Sequence, residues 1–159
     1  VGTLAKILAP GLRLGYVVAP RPLLETIASH RLYVDRQGDH AVECAVAELL
    51  EEGEVQRHAR RAKRIYQARR DFLAESLRRA LGDVLAFKMP SGGMALWAKV
   101  SSEIDVDAWS RRALQRNVLF HTAKRFAFDG RPRPYARLGF AALDDRELRE
   151  AVKILKVAL

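Results

Sequence analysis

The fold is decided by the first twenty residues of this 159-residue chain, Val1–Pro20, with the sequence VGTLAKILAPGLRLGYVVAP. Two apolar runs flank a turn in which Pro10 fixes φ and removes a backbone donor, while Gly11 permits a tight bend. We therefore predict strand, loop and strand, with Lys6 before the turn and Arg13 after it. One amine and one guanidinium are thus expected near each other on a stiff frame.

The surroundings of Lys6 suit a nucleophilic amine. The apolar residues Leu4, Ile7 and Leu8 are expected to exclude water from it. Arg13 adds a like charge, which also favours the neutral amine. A neutral lysine forms a Schiff base with an aldehyde, and an arginine binds a phosphate through paired N–H donors; pyridoxal phosphate carries both groups. The alternative is that both residues are ordinary solvated charges at strand ends.

A resemblance favours the first interpretation. The string KILAPGLRLGY, Lys6–Tyr16, closely resembles the lysine segment of fold-type I pyridoxal-phosphate aminotransferases. The resemblance implies that Lys6 forms the Schiff base with the cofactor, that Arg13 binds its phosphate and that the Thr3 hydroxyl contributes a contact. Ala5 departs from the family, which usually has Ser or Thr there, and this puts one polar contact near the phosphate in question.

Length and composition limit the class of protein. The chain is long enough to bury a core, and no apolar run approaches a membrane span or a signal peptide. The single cysteine, Cys44, excludes a disulfide framework and a zinc site, and its apolar neighbours favour a small core residue. A reducing, cytoplasmic compartment is therefore expected. Because the chain begins at Val1 in a strand and without Met, we interpret it as the C-terminal part of a longer protein.

The formal net charge of +9 suggests a nucleic-acid-binding module. However, aromatic residues for base stacking are few and no nucleic-acid-binding signature occurs. We therefore interpret the basic residues as the solvated face of a long helix. Those concentrated in one segment are Arg57, Arg60, Arg61, Lys63, Arg64, Arg69, Arg70, Arg78 and Arg79.

Hydrophobic periodicity and turn residues predict an α/β fold with a small α+β domain. The predicted helices are Pro22–His40 with a break at Gln37–Asp39, a helix through Cys44 to Glu51 capped by Asp39, Glu54–Leu81, Ile104–Asn117, and Asp145–Leu159 capped by Asp144. The strands predicted after Gly82 are Val84–Phe87, Met94–Val100, Val118–His121 and Tyr135–Phe140. We predict three parts: 1–53, the remnant of a cofactor-binding large domain; 54–81, a connecting helix; and 82–159, the small domain. This order resembles the C-terminal part of fold-type I aminotransferases.

Arg137 lies in the middle of a predicted strand, YARLGFA. Burying it is costly unless an anion meets it; the alternative is a wet face on which it pairs with a surface carboxylate. In the resembled family, an arginine in a similar R-L-x-F string binds the substrate α-carboxylate, which implies this role for Arg137. Trp97 and Trp109 are expected to anchor the core and Tyr16 to pack. The four histidines are too widely spaced for a metal site: His30, His40, His58 and His121.

The segment Asp35–Asp71 resembles the MocR subgroup of GntR-type transcriptional regulators. Its most specific element is the run EEGxxxRHxRR, from Glu51 to Arg61. That subgroup joins a winged-helix DNA-binding domain to an aminotransferase-like domain that senses pyridoxal phosphate or an amino compound. Because the segment Val1–Pro20 leaves apolar edges without a partner, we also expect a symmetric homodimer.

Two functions therefore stand. The first is the effector-sensing domain of a MocR-type regulator, with DNA bound only through a domain upstream of this chain. The second is part of a free-standing class I/II aminotransferase, which moves an amino group between an amino acid and a 2-oxo acid. Lys6, Arg13 and Arg137 serve both. In the family, the acidic partner of the pyridine nitrogen and the ring-stacking aromatic precede the lysine, so the 159 residues alone are expected to hold the cofactor poorly.

Overall fold

The computed structural model describes all residues from 1 to 159. The helices are α1 (Arg21–Val34), α2 (His40–Glu51), α3 (Glu54–Leu81), α4 (Val106–Leu114) and α5 (Asp145–Val157). The strands are β1 (Gly2–Thr3), β2 (Gly15–Tyr16), β3 (Leu85–Ala86), β4 (Ala95–Val100), β5 (His121–Thr122) and β6 (Tyr135–Gly139). The chain divides into two units, residues 1–63 and 64–159, so that α3 begins in the first and ends in the second. The three-part division at residues 53 and 81 stays a prediction.

The first unit opens with the expected strand, loop and strand. β1 and β2 pair antiparallel, with Gly2 opposite Tyr16, and a 3-10 turn at Pro10–Leu12 joins them with proline in its first position. The strands are shorter than the apolar runs, because the run after β1 folds into a turn. In this turn the N–H groups of Ile7 and Leu8 both donate to the carbonyl of Leu4.

The helices of the first unit follow their sequence signals, with one boundary corrected. The carboxylate of Asp39 accepts a hydrogen bond from the N–H of Val42 at 3.2 Å, so it caps α2 as predicted. α1 ends at Val34 and not at His40, because Arg36 adopts a left-handed conformation with φ 59° that cannot continue a helix. α1 contributes no buried residue to the core.

The second unit is a four-stranded antiparallel sheet in the order β3-β4-β6-β5, with helices packed on one face. Burial alternates along β4 and β6, and the inward side chains join those of α3, α4 and α5 in one core. At its centre Trp109 is fully buried, and its Nε1 donates a hydrogen bond to the carbonyl of Leu155 at 2.9 Å. Its ring centroid lies 4.8 Å from that of Phe120.

Side-chain caps fix the helix starts in this unit. Asp144 and Glu147 form a reciprocal capping box at the start of α5, as the sequence predicts for Asp144. The carboxylate of Asp105 accepts the N–H groups of Asp107 and Ala108 at the start of α4. Hydrogen bonds from these backbone N–H groups hold the pKa values of both capping carboxyls below their ordinary range.

The strand predicted at Val118–His121 is wrong for most of its length, since β5 spans only His121–Thr122. Asn117 adopts φ 63°, and the N–H of Val118 donates to the carbonyl of Ala113 at 3.0 Å. The first residues of the expected strand therefore complete the end of α4, and sheet pairing begins three residues later.

Three side chains expected inside lie outside. Cys44 is exposed, because the helix turns Val46, two positions on, towards the core instead. Trp97 is 45% exposed, since it occupies the opposite face of β4 from the buried Leu96. Tyr16 is 54% exposed on its two-residue strand. None of the five helices combines the length and the apolar character needed to cross a membrane.

Candidate functional site

Lys6 lies in the turn that follows β1. The turn is tied to the far strand by a 3.0 Å hydrogen bond from the N–H of Leu4 to the carbonyl of Leu14. The lysine itself is exposed, as is Ile7 beside it. The expectation that the apolar neighbours exclude water from this amine is therefore not met within the chain. The structure presents Lys6 as an accessible amine on a hydrogen-bonded turn.

The hydroxyl of Thr3 shapes this turn from within. It donates to the carbonyl of Leu14 at 3.3 Å and accepts from the N–H of Ala5 at 3.2 Å. Because its one proton is already directed at Leu14, the remaining capacity of this hydroxyl is that of an acceptor. Thr3 therefore has a clear role in fixing the backbone around Lys6, and the cofactor contact implied by the family stays a prediction.

Arg13 ends the 3-10 turn in a left-handed conformation, φ 51° and ψ 24°. Its side chain is exposed and borders a cavity of about 350 Å³ that Arg31, Asp35 and Glu43 also line. The carboxylate of Asp35 is paired with Arg31 at 3.0 Å. No ion pair within the first unit involves Arg13, so its guanidinium is available to an external anion.

His58 contacts the turn that carries Lys6, a contact that the sequence does not predict. It lies one turn into α3, and its Nε2 donates a hydrogen bond to the carbonyl of Ile7 at 2.8 Å. Gly53, with φ 74°, allows α3 to start directly after α2. The only sequence signal for this contact is the position of His58 within the run EEGxxxRHxRR. His58 thus holds the backbone next to Lys6.

The residues of the first unit fit two ends of one cofactor. An accessible amine and an unpaired guanidinium lie on opposite sides of the Pro10–Leu12 turn. An amine suits an aldehyde, and an exposed guanidinium suits a phosphate. Pyridoxal phosphate combines the two, and Lys6 and Arg13 would hold them.

Arg137 belongs to the second unit. It lies in the middle of β6, half-buried, directly opposite Trp97 of β4 and His121 of β5. No ion pair of this unit involves it, so the alternative of a surface carboxylate partner is not observed within the unit. Burial lowers the pKa of His121 below its ordinary value, and the charges of Arg125 and Arg137 lower it further, which favours the neutral imidazole.

The chain matches the family model "Aminotransferase class I and II" over residues 1–155. It is 30% identical over 159 residues to the 2-aminoadipate transaminase of Thermus thermophilus, covering 100% of this chain and 40% of that protein. It is also 30% identical over 161 residues to the probable rhizopine catabolism regulatory protein MocR of Rhizobium meliloti, covering 99% of this chain and 32% of that protein. The chain thus spans 32% to 40% of the length of these relatives.

Solved structures agree with the predicted fold. The crystal structure of the α-aminoadipate aminotransferase LysN of Thermus thermophilus, complexed with N-(5'-phosphopyridoxyl)-L-leucine, superposes with a TM-score of 0.90 at 29% identity. The match covers 99% of this chain and 40% of that one. The predicted α/β class and the correspondence to a C-terminal portion of fold-type I proteins are confirmed. The chain belongs to the aminotransferase class I and II family.

Proposed function

We propose that this chain is the pyridoxal-phosphate-binding, effector-sensing part of a MocR-type transcriptional regulator. The observation that carries the proposal is the contact between His58 and Ile7, because it joins the run EEGxxxRHxRR to the turn that presents Lys6. The similarity to MocR of Rhizobium meliloti over almost the whole chain supports it. DNA would be bound through a domain outside these 159 residues, in a cytoplasmic protein.

The proposed roles of the site residues follow from their chemistry. Lys6 bonds the aldehyde of the cofactor, Arg13 binds its phosphate and Thr3 fixes the turn between them. Arg137 binds the carboxylate of an amino-acid effector through its unpaired guanidinium. The cofactor supplies a reversible covalent attachment for an amino compound, so effector occupancy can be coupled to the regulator's state.

A free-standing aminotransferase is the second candidate. The 30% identity to the 2-aminoadipate transaminase of Thermus thermophilus, over the full chain, favours it. The same residues serve this function, with the amino group passed from an amino acid to a 2-oxo acid.

One experiment separates the two. The full-length protein is loaded with pyridoxal phosphate and assayed for binding to DNA from upstream of its own gene, with and without amino acids. The same preparation is assayed for amino transfer to 2-oxoglutarate. A regulator is expected to bind the DNA, and amino acids are expected to change its affinity for the DNA. Turnover without DNA binding would instead establish the aminotransferase.

We also propose a symmetric homodimer, because α1 leaves apolar side chains exposed in the first unit. Leu23 is 51%, Leu32 61% and Val34 84% exposed. An apolar helix face of this kind is characteristic of an interface. Light scattering on the full-length protein tests this proposal, and a monomer at all concentrations would exclude it.

A further inference from the structure

The open face of the four-stranded sheet carries a cross-strand row centred on Arg137. Its Cα partner in β4 is Trp97, and its Cα partner in β5 is His121. Side chains at directly opposed positions of an antiparallel pair project on the same face and contact each other. The next residues along the strands, such as Leu96 and Ala136, are fully buried on the other face. Arg137 is therefore flanked on both sides by rings, on the face that the core does not use.

A further ring connects the two sides of this row. The ring centroid of Phe126 lies 5.8 Å from that of Trp97 and 6.3 Å from that of His121, edge-on to both. Tyr135, two residues before Arg137 on β6, stacks on Trp97 at 5.8 Å with an interplanar angle of 14°. Phe126 and Tyr135 thus join the two cross-strand neighbours of Arg137, Trp97 and His121, in one cluster of four rings.

These rings are not used as a core. Trp97 is 45% and Phe126 48% exposed, so both keep large apolar areas in contact with water. Exposed aromatic side chains grouped beside one polar anchor are typical of a ligand-binding surface. A core role would instead give the full burial seen for Trp109.

The charges around the row favour an anionic ligand. Arg137 and Arg125 both act on His121 as positive charges. Asp129, the acidic residue of the loop that follows Phe126, is already paired with Arg133 at 3.1 Å. The row therefore offers an unpaired guanidinium at its centre and apolar ring surface on both sides.

We propose that Trp97, Phe126 and Tyr135 select ligands whose carboxylate binds Arg137 and whose side chain is aromatic or large and apolar. The inference rests on the proposed function, because it takes the carboxylate role of Arg137 from there. Aromatic pairs add affinity beyond the area that they bury, and a ligand ring placed against Trp97 gains this contribution. A second carboxylate placed against the same rings would lose part of its hydration to their apolar surface, which has a free-energy cost. A neutral His121 adds a hydrogen-bonding group without repelling the ligand's side chain.

The test uses the full-length protein with pyridoxal phosphate bound. L-phenylalanine, L-leucine, L-alanine and L-glutamate are titrated in turn, and binding is followed by calorimetry and by the visible absorption of the cofactor. We expect phenylalanine and leucine to bind more tightly than alanine and glutamate. Trp97→Ala should weaken the binding of phenylalanine about three- to tenfold and leave the binding of alanine unchanged. Trp97→Phe keeps an aromatic ring and should therefore still bind phenylalanine and leucine more tightly than alanine and glutamate.

Two further variants make the outcome specific. Phe128→Ala removes a fully exposed ring outside the row and should leave the affinity for all four amino acids unchanged. Arg137→Ala should weaken the binding of all four amino acids, because each of them carries an α-carboxylate. If Arg137→Ala has no effect, the proposed carboxylate role itself fails. The inference fails, and the proposed function stands, if Arg137→Ala weakens the binding of every ligand but the wild-type protein binds glutamate most tightly. It fails in the same way if Trp97→Ala weakens the binding of phenylalanine and of alanine equally.

Discussion

The imidazole of His58 donates a 2.8 Å hydrogen bond to the carbonyl of Ile7, 51 positions earlier in the chain. Since Ile7 follows Lys6 directly, the first turns of α3 hold the backbone of the segment that presents the amine. Only a donor satisfies this carbonyl, so Nε2 carries the proton. The placement of the lysine thus depends on a helix outside its own hairpin.

Replacement of His58 should loosen this turn. Without the donor the Ile7 carbonyl loses a hydrogen bond worth about 0.5–1.5 kcal/mol, so His58→Ala should speed hydrogen exchange at the N–H of Leu8 and weaken cofactor binding. His58→Gln, which retains an N–H donor, should restore part of the affinity. His40→Ala, at an exposed histidine of the same unit, is the control. Equal cofactor affinity in all three variants would show that the contact has only a structural role.

Lys6→Ala should abolish covalent attachment of pyridoxal phosphate. The change removes the only amine on the turn, while the exposed side chain contributes little to folding. Reductive trapping followed by peptide mass analysis should place the cofactor on the peptide that contains Lys6 in the wild-type protein. The Lys63→Ala variant, which lacks another exposed lysine of the first unit, should trap the cofactor on the Lys6 peptide as the wild type does. Cofactor trapped elsewhere in wild type would refute the assignment.

Arg13→Ala should weaken cofactor binding by about 1.5–3 kcal/mol, the range for a charge-assisted hydrogen bond to a phosphate. Arg36→Ala is a matched control, because Arg36 is also exposed and also adopts a left-handed backbone, with φ 59° against 51°. The control therefore reproduces both the loss of charge and the strain of alanine in this conformation. If a titration shows that both variants lose cofactor affinity equally, Arg13 does not bind the phosphate.

The pKa of His121 should lie below its ordinary value of 6.5 when measured by NMR titration. Burial is the main cause, followed by the charge of Arg125 and then that of Arg137. Arg125→Gln and Arg137→Gln should each raise this pKa. Arg131→Gln, at an exposed arginine of the neighbouring loop, should leave it unchanged. An unchanged pKa in the first two variants would contradict the row geometry.

The same shift has a consequence for stability. Because the folded pKa of His121 is lower than the unfolded one, the unfolded chain binds more protons between the two values. The free energy of unfolding should therefore fall as the pH drops from 6.5 through the folded pKa. His121→Gln should lose this part of the pH dependence.

Trp109→Ala should destabilise the protein by about 3–5 kcal/mol, because it empties a fully buried site. It also leaves the Leu155 carbonyl without its donor. Trp97→Ala should cost far less, since that ring is 45% exposed and its removal opens no cavity. Urea unfolding of both variants measures the difference, and similar losses would mean that Trp97 belongs to the core after all.

Local signals predicted the helices well. α3 has the predicted bounds, and Asp39 and Asp144 cap the helices that they were expected to cap. Each of these features depends on residues within one or two turns of each other, whose spacing is visible in the sequence.

Features that depend on distant contacts were not predicted. Trp97 was expected in the core, because the apolar run of β4 does not reveal which of its faces α3, α4 and α5 cover. The contact of His58 with Ile7 joins two segments whose pairing no local pattern encodes. The accessibility of Lys6 likewise follows from the turn at Leu4, which ended the apolar run earlier than its composition indicated.

The left-handed backbone of Arg13 sets stability against the proposed phosphate contact at one residue. This conformation costs a residue with a side chain about 1–2 kcal/mol, and glycine avoids the cost. Selection for thermal stability alone would therefore replace Arg13 with glycine or asparagine, and the protein would gain heat resistance as it lost the side chain that we propose binds the phosphate. The same replacement at Arg36 gains the stability without that loss, so a stabilised variant of this protein should start there.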